Sequence, residues 1–85
     1  MGVVRIIHES VLGCHSVALD EHAVQRMFER NVTEAELLEV LSRPDQTGLK
    51  TQPNRFRYRK VIEGRKVDVV FEYDPTQIVV ITVIA

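Results

Sequence analysis

The residues best suited to chemistry fall into two groups. His22, Arg26 and Arg30 recur every four residues, a spacing that stacks side chains along one face of a helix. Arg55, Arg57 and Arg59 alternate with Phe56, Tyr58 and Lys60, a spacing that puts three guanidiniums on one face of a strand. Imidazole exchanges protons near neutral pH, and the planar guanidinium fork donates paired hydrogen bonds to phosphate. Together these types fit acid–base chemistry at a phosphodiester. His22 would sit in the first turn of its helix, where the dipole favours a neutral, proton-accepting imidazole. Arg26, one turn on, can approach the same anion. The plainer reading of His22 is a local hydrogen bond that anchors the helix to a sheet.

Three arginines in a row repel one another unless an anion or carboxylates lie between them. Either the ladder binds a nucleic-acid backbone, or it pairs across strands with acidic residues. A two-residue turn at Glu63-Gly64 would set Ile62 opposite Arg65, Arg59 opposite Asp68 and Arg55 opposite Glu72. Both readings stand at this level. His8, His15, His22 and Cys14 are metal-ligand types, but their spacing matches no zinc pattern; no metal and no cofactor are expected.

The elements that must position these residues follow from the pattern. Val3 to His8 is β-branched and apolar, so a short strand is expected. Ser16 to Leu19 suits either a second short strand or the lead-in to a helix. Asp20 is an N-cap for a first helix, whose apolar stripe would be Ala23, Val24, Met27 and Phe28. Asn31 suits a left-handed end, and Thr33 with Glu36 has capping-box spacing for a second helix that Pro44 stops. Asp45 to Asn54 reads as a polar loop. Residues 55–62 and 67–73 then alternate with period two, and Ile78 to Ala85 is apolar at nearly every position, as in a strand covered on both faces or central in its sheet. The expected fold is α+β: an N-terminal strand, then a two-helix hairpin packed on a mainly antiparallel sheet with a C-terminal three-strand meander. The sheet face away from the helices is the candidate functional surface.

The 85 residues, 45% apolar and 27% charged, fit one domain spanning 1–85, with 1–16 as an N-terminal extension and 17–85 as the core. A chain of this size buries only about 60–65% of its unfolded surface, so stability is modest or shared with a partner. The single Cys14 excludes an internal disulfide. No apolar run approaches the ~20 residues that span a bilayer, and a cytoplasmic protein without membrane contact is expected. The net charge of -1 hides a strong asymmetry. Residues 20–45 hold three basic and seven acidic groups, whereas residues 50–66 hold seven basic groups against Glu63.

The segment His22-Ala23-Val24-Gln25-Arg26-Met27-Phe28-Glu29-Arg30 resembles a small prokaryotic family of unknown function with a His-Ala-x-x-Arg-Met-x-x-Arg signature. Pro44-Asp45, the aromatic–basic strand from Arg55 to Lys60, Gly64 and the final Val/Ile strand extend the resemblance over about residues 17–85. That family looks like a branch of the RelE/ParE toxin-like fold, some of whose members are endoribonucleases of toxin–antitoxin systems and others gyrase poisons. The resemblance implies a toxin-like, metal-independent endoribonuclease. In that reading His22, Arg26, Arg59 and Tyr73 are catalytic, and Arg30, Arg55, Arg57 and Lys60 bind nucleic acid. The partners would be RNA or the ribosome, a protein antitoxin, and a second copy of the chain. The alternative is a non-catalytic protein-interaction module of the same fold, with the last strand at a sheet edge or the acidic helices docking a basic partner.

Overall fold

A computed structural model of the chain describes residues 2–48 and 54–85. Lys50 and Pro53, read above as part of the basic stretch and the polar loop, lie outside the described residues. The described chain forms, in order, β1 (Val3–Ile7), β2 (Ser16–Asp20), α1 (Glu21–Arg30), α2 (Glu34–Ser42), β3 (Gln46–Thr47), β4 (Arg55–Ile62), β5 (Arg65–Asp74) and β6 (Gln77–Ile84). The strands make one mixed sheet in the order β1-β2-β6-β5-β4-β3. Only β2 and β6 run parallel; the other neighbours are antiparallel. The fold is therefore α+β, with two helices and a six-stranded sheet among the described residues.

Local chemistry sets the element ends. Asp20 caps α1 by accepting from Ala23 N at 2.7 Å. Asn31 ends α1 in the left-handed region at φ 58°. Thr33 and Glu36 form a reciprocal capping box that starts α2. Glu63 and Gly64 both have positive φ, 52° and 78°, the twist-matched two-residue turn of a hairpin. That turn fixes the β4–β5 register at Ile62↔Arg65, Arg59↔Asp68 and Arg55↔Glu72, the pairing anticipated from the sequence.

The helices lie on one side of the sheet, α1 over β6 and α2 over β4 and β5. Phe56, Tyr58 and Ile62 pack there against a core built from Leu19, Ala23, Met27, Leu37, Val40, Leu41, Val69, Phe71 and Val80. Arg55, Arg57 and Arg59, at the alternate positions, lie on the opposite, open face. Ile7, Val11 and Cys14 join the core, so the N-terminal segment is built into the fold. Arg5 ties β1 to α2 through two hydrogen bonds to Glu34, at 2.7 and 3.0 Å.

Three expectations are corrected. Only half of the anticipated α1 stripe is inside: Ala23 and Met27 are buried, whereas Val24 is 36% and Phe28 87% exposed. α1 meets β6 along a single line of residues four apart, and Val24 and Phe28 lie one residue round the helix from it. β6 lies between β2 and β5, central as its apolar pattern implied, and not at the edge that the interaction-module alternative allowed. The polar loop also contains β3, a two-residue strand pairing Gln46 with Arg59 and Thr47 with Tyr58.

Candidate functional site

The open face carries one tightly organised polar cluster. Asp68 on β5 is 2% exposed and sits between two arginines of β4. Arg59 donates from Nε to Oδ1 at 2.7 Å and from Nη2 to Oδ2 at 3.0 Å, a two-point grip. Arg57 donates to Oδ2 from Nε at 2.7 Å and approaches it through Nη2 at 2.5 Å. Burial works against ionisation of Asp68 and is its largest single influence. Hydrogen bonds from Arg59 and Arg57, with their charges, together outweigh it and hold the carboxyl below the usual carboxylate range. The same contact raises Arg59 above its ordinary value, through the Asp68 hydrogen bond first and its charge second. Two guanidiniums share one carboxylate, so the cluster carries one uncompensated positive charge.

That charge faces a groove. Arg57 and Arg59 line a space of about 500 Å³ with Gln46, Thr47 and Gly48 of the β3 edge. Gly48 is required where it stands, because a Cβ there would collide with the Arg57 carbonyl. Sequence reasoning missed this wall, since a strand of two residues leaves no periodic signal. Arg55 plays a different part: Nη2 meets Glu72 at 2.8 Å in a one-to-one pair, which leaves no net charge. The cross-strand reading therefore holds for Arg55–Glu72, and for Arg59–Asp68 as well, but Arg57 adds a cation that the register alone did not assign.

A second space lies where α1 meets the sheet. The β2–β6 pairing ends at Leu19↔Val80 because the chain turns into α1 after Asp20. The last residues of β6 consequently have no strand partner on that side among the described residues, and a notch of about 310 Å³ opens there, lined by Arg26, Arg30, Thr82, Val83 and Ile84. Ile84 pairs with Asp68 and Thr82 with Val70, so the notch adjoins the strand rows that hold Arg59 and Arg57. Arg26 has one weak ion pair, to Glu29 at 3.7 Å.

The remaining anticipated residues do not join this surface. His22 is exposed on α1, one turn before Arg26 on the same stripe; it does not anchor the helix, a task done by Asp20. Lys60 points to the helix side, where Nζ donates to the Arg43 carbonyl at 2.9 Å and lies 3.6 Å from Asp45. Tyr73 is also on the helix side, in an aromatic groove with Leu12, Phe56, Tyr58 and Phe71, and its hydroxyl donates to the Leu12 carbonyl at 3.4 Å. It is separated from Arg59 by the sheet itself, so the four residues expected to be catalytic do not converge. The alternation rule placed Lys60 and Tyr73 correctly on strands; grouping them with the arginines was the error, since even and odd positions face opposite ways. Cys14 is buried with Sγ donating to the Asp74 carbonyl at 3.2 Å. Among the described residues no three His, Cys, Asp or Glu side chains gather into a metal-binding group, and no helix is long and apolar enough to cross a membrane.

These features define a small α+β protein with a cationic groove on the uncovered face of its sheet. The chain belongs to the family described as a domain of unknown function (DUF4258), whose model matches residues 19–85. The match takes in both helices, the groove and the notch, and leaves out β1 and most of β2. No curated protein matches the chain, and no solved structure does.

Proposed function

We propose that the open face binds the sugar–phosphate backbone of RNA, and that the protein is a toxin-like, metal-independent endoribonuclease of RelE/ParE type. The observation that carries this reading is the sharing of Asp68 by Arg57 and Arg59. The carboxylate fixes both guanidiniums in place while leaving a net positive charge over an open groove. Such a pair is preorganised to hold a phosphate and to stabilise the charge that builds on it during cleavage. Cleavage next to a ribose also needs a base for the 2′-hydroxyl and an acid for the leaving 5′-oxygen. In this reading His22 takes the 2′-hydroxyl proton and returns it, as imidazolium, to the leaving 5′-oxygen. Because α1 packs on the other side of the sheet from Arg57 and Arg59, the RNA strand must round the β6 end of the sheet to reach it. Its stripe continues through Arg26 and Arg30 to the notch beside Ile84, the strand neighbour of Asp68. Lys60 and Tyr73 drop out of the chemistry, and Arg55 is structural. The test is RNA cleavage in EDTA, with and without ribosomes, by the wild type, His22→Ala and the Arg57→Ala/Arg59→Ala double variant. Cleavage lost in both variants supports the reading; cleavage retained in both ends it.

A second reading, a non-catalytic interaction module, is favoured by Phe28. An aromatic ring 87% exposed beside the exposed Val24 is the kind of surface a protein partner covers. A protein antitoxin or a second copy of the chain would dock there. Under this reading the folded wild type neither binds nor cuts RNA, and Phe28→Ser abolishes the association.

A further inference from the structure

We infer that the notch between α1 and the end of β6 is a second phosphate subsite, so that single-stranded RNA crosses the sheet with successive phosphates at Arg57/Arg59 and at Arg26/Arg30. This inference rests on the RNA-binding reading above and extends it to a strand path. Three observations carry it. First, Arg26 and Arg30 stand one turn apart and line one space with Thr82, Val83 and Ile84, which supplies two guanidiniums, a hydroxyl and strand backbone. Second, the β2–β6 pairing stops at Leu19↔Val80, so the backbone of Thr82 to Ile84 on that side is left open beside the two arginines. A strand edge with exposed donors next to two cations suits a phosphate, which accepts from several donors at once. Third, the register sets the spacing. Thr82 is two strands from Arg57, across Val70, and Ile84 is two strands from Arg59, across Asp68. Two strand steps are about 10 Å between backbones. Arg57 and Arg59 lean back over β5 to reach Asp68, toward the β6 side of the sheet that carries the notch.

The path also gives the signature helix a reason for its spacing. His22, Arg26 and Arg30 form one stripe at i, i+4 and i+8, and two of the three line the notch. A strand entering there passes the His22 end of the stripe before or after it reaches the groove.

The experiment uses a single-stranded trinucleotide with two phosphodiester links, 2′-O-methylated so that it cannot be cut. Titrated into the isotopically labelled protein, it shifts the amide resonances of Thr82, Val83 and Ile84 together with those of Gln46, Thr47 and Gly48. In fluorescence anisotropy with a longer single-stranded RNA, Arg26→Ala/Arg30→Ala weakens binding about tenfold and lowers the salt slope by about 0.7 for the lost phosphate contact. Arg43→Ala, which removes an exposed cation away from both spaces, changes neither. Shifts confined to residues 46–48, with an unchanged salt slope in the α1 variant, overturn the second subsite and leave the groove reading standing. No binding by folded wild type overturns both. The resonance test needs no substitution, so it decides the matter even if the α1 variant unfolds.

Discussion

Arg59 and Asp68 face each other across β4 and β5, and the guanidinium takes both carboxylate oxygens, at 2.7 and 3.0 Å. Arg57 takes the same carboxylate from the next position along the face. Removing the shared charge leaves two guanidiniums side by side. Asp68→Asn is expected to lower stability by about 2 kcal/mol in urea denaturation. That is less than the 3–5 kcal/mol of a fully buried pair, because both arginines keep enough solvent contact to be rehydrated. An unchanged midpoint would mean that the cluster does not hold β4 to β5.

The same pair sets an acid limit. The Asp68 carboxyl lies below its ordinary range in the folded protein, so the folded state binds its proton less readily than the unfolded chain does. Its contribution is fully present above the unfolded-state value of about 3.9 and is lost as pH falls through the lower folded-state value. Urea midpoints measured from pH 6 down to pH 2 should be level at first and then fall. In Asp68→Asn the fall is shallower. What remains comes from Glu34, Asp45 and Asp74, which hydrogen bonds from Arg5, from the Val61 amide and from Thr76 respectively hold below their ordinary range.

Gly48→Ala tests the groove wall. The new methyl meets the Arg57 carbonyl, and backbone cannot give way as a side chain can. β3 should be pushed off β4, with a stability loss of about 1–3 kcal/mol by thermal denaturation and, on the proposed RNA-binding reading, weaker RNA binding. Wild-type affinity in a folded Gly48→Ala protein would show that the wall takes no part.

Met27 and Phe28 are neighbours in sequence with opposite expectations. Met27→Ala should cost about 2–5 kcal/mol, since the side chain is 6% exposed in the core. Phe28→Ser should stay within about 0.5 kcal/mol and, on the interaction-module reading, abolish the association in sedimentation. Equal losses from both would contradict the orientation of α1.

Leu12 has φ +54° in a two-residue turn with Gly13, closed by Val11 and Cys14 hydrogen bonds at 3.1 and 2.9 Å. A leucine is costly in that region, and asparagine before glycine suits this turn. Leu12→Asn is expected to raise stability by about 0.5–1 kcal/mol, because a side chain already 38% exposed gives up little burial. A lower denaturation midpoint would show that its contact with the aromatic groove outweighs the turn strain.

What could be read from the sequence was what local chemistry decides. The Thr33–Glu36 box, the Asn31 end and the Glu63-Gly64 turn each specify their geometry within a few residues, and the turn carried the β4–β5 register with it. The arginine ladder followed from alternation alone. What could not be read depends on distant partners. Whether Ser16 to Asp20 became a strand was decided by β6, some 60 residues away. Which half of the α1 stripe is buried depends on how the helix lies against β6. The notch exists only because the β2–β6 pairing stops at Val80, four positions before β6 ends at Ile84, a comparison no single segment contains.

The place of β6 has a consequence for how the molecule is made. Among the described residues it is the last strand in sequence yet third in space, and the one strand that joins the β1–β2 hairpin to the β5–β4–β3 ladder. During synthesis, both halves must therefore wait with an open edge until residues 77–84 have emerged. Assembly of the sheet is a late, cooperative event governed by long-range closure. A chain stalled before Gln77 would present two unsatisfied strand edges, and the notch beside Thr82 to Ile84 comes into being only once translation has passed β6.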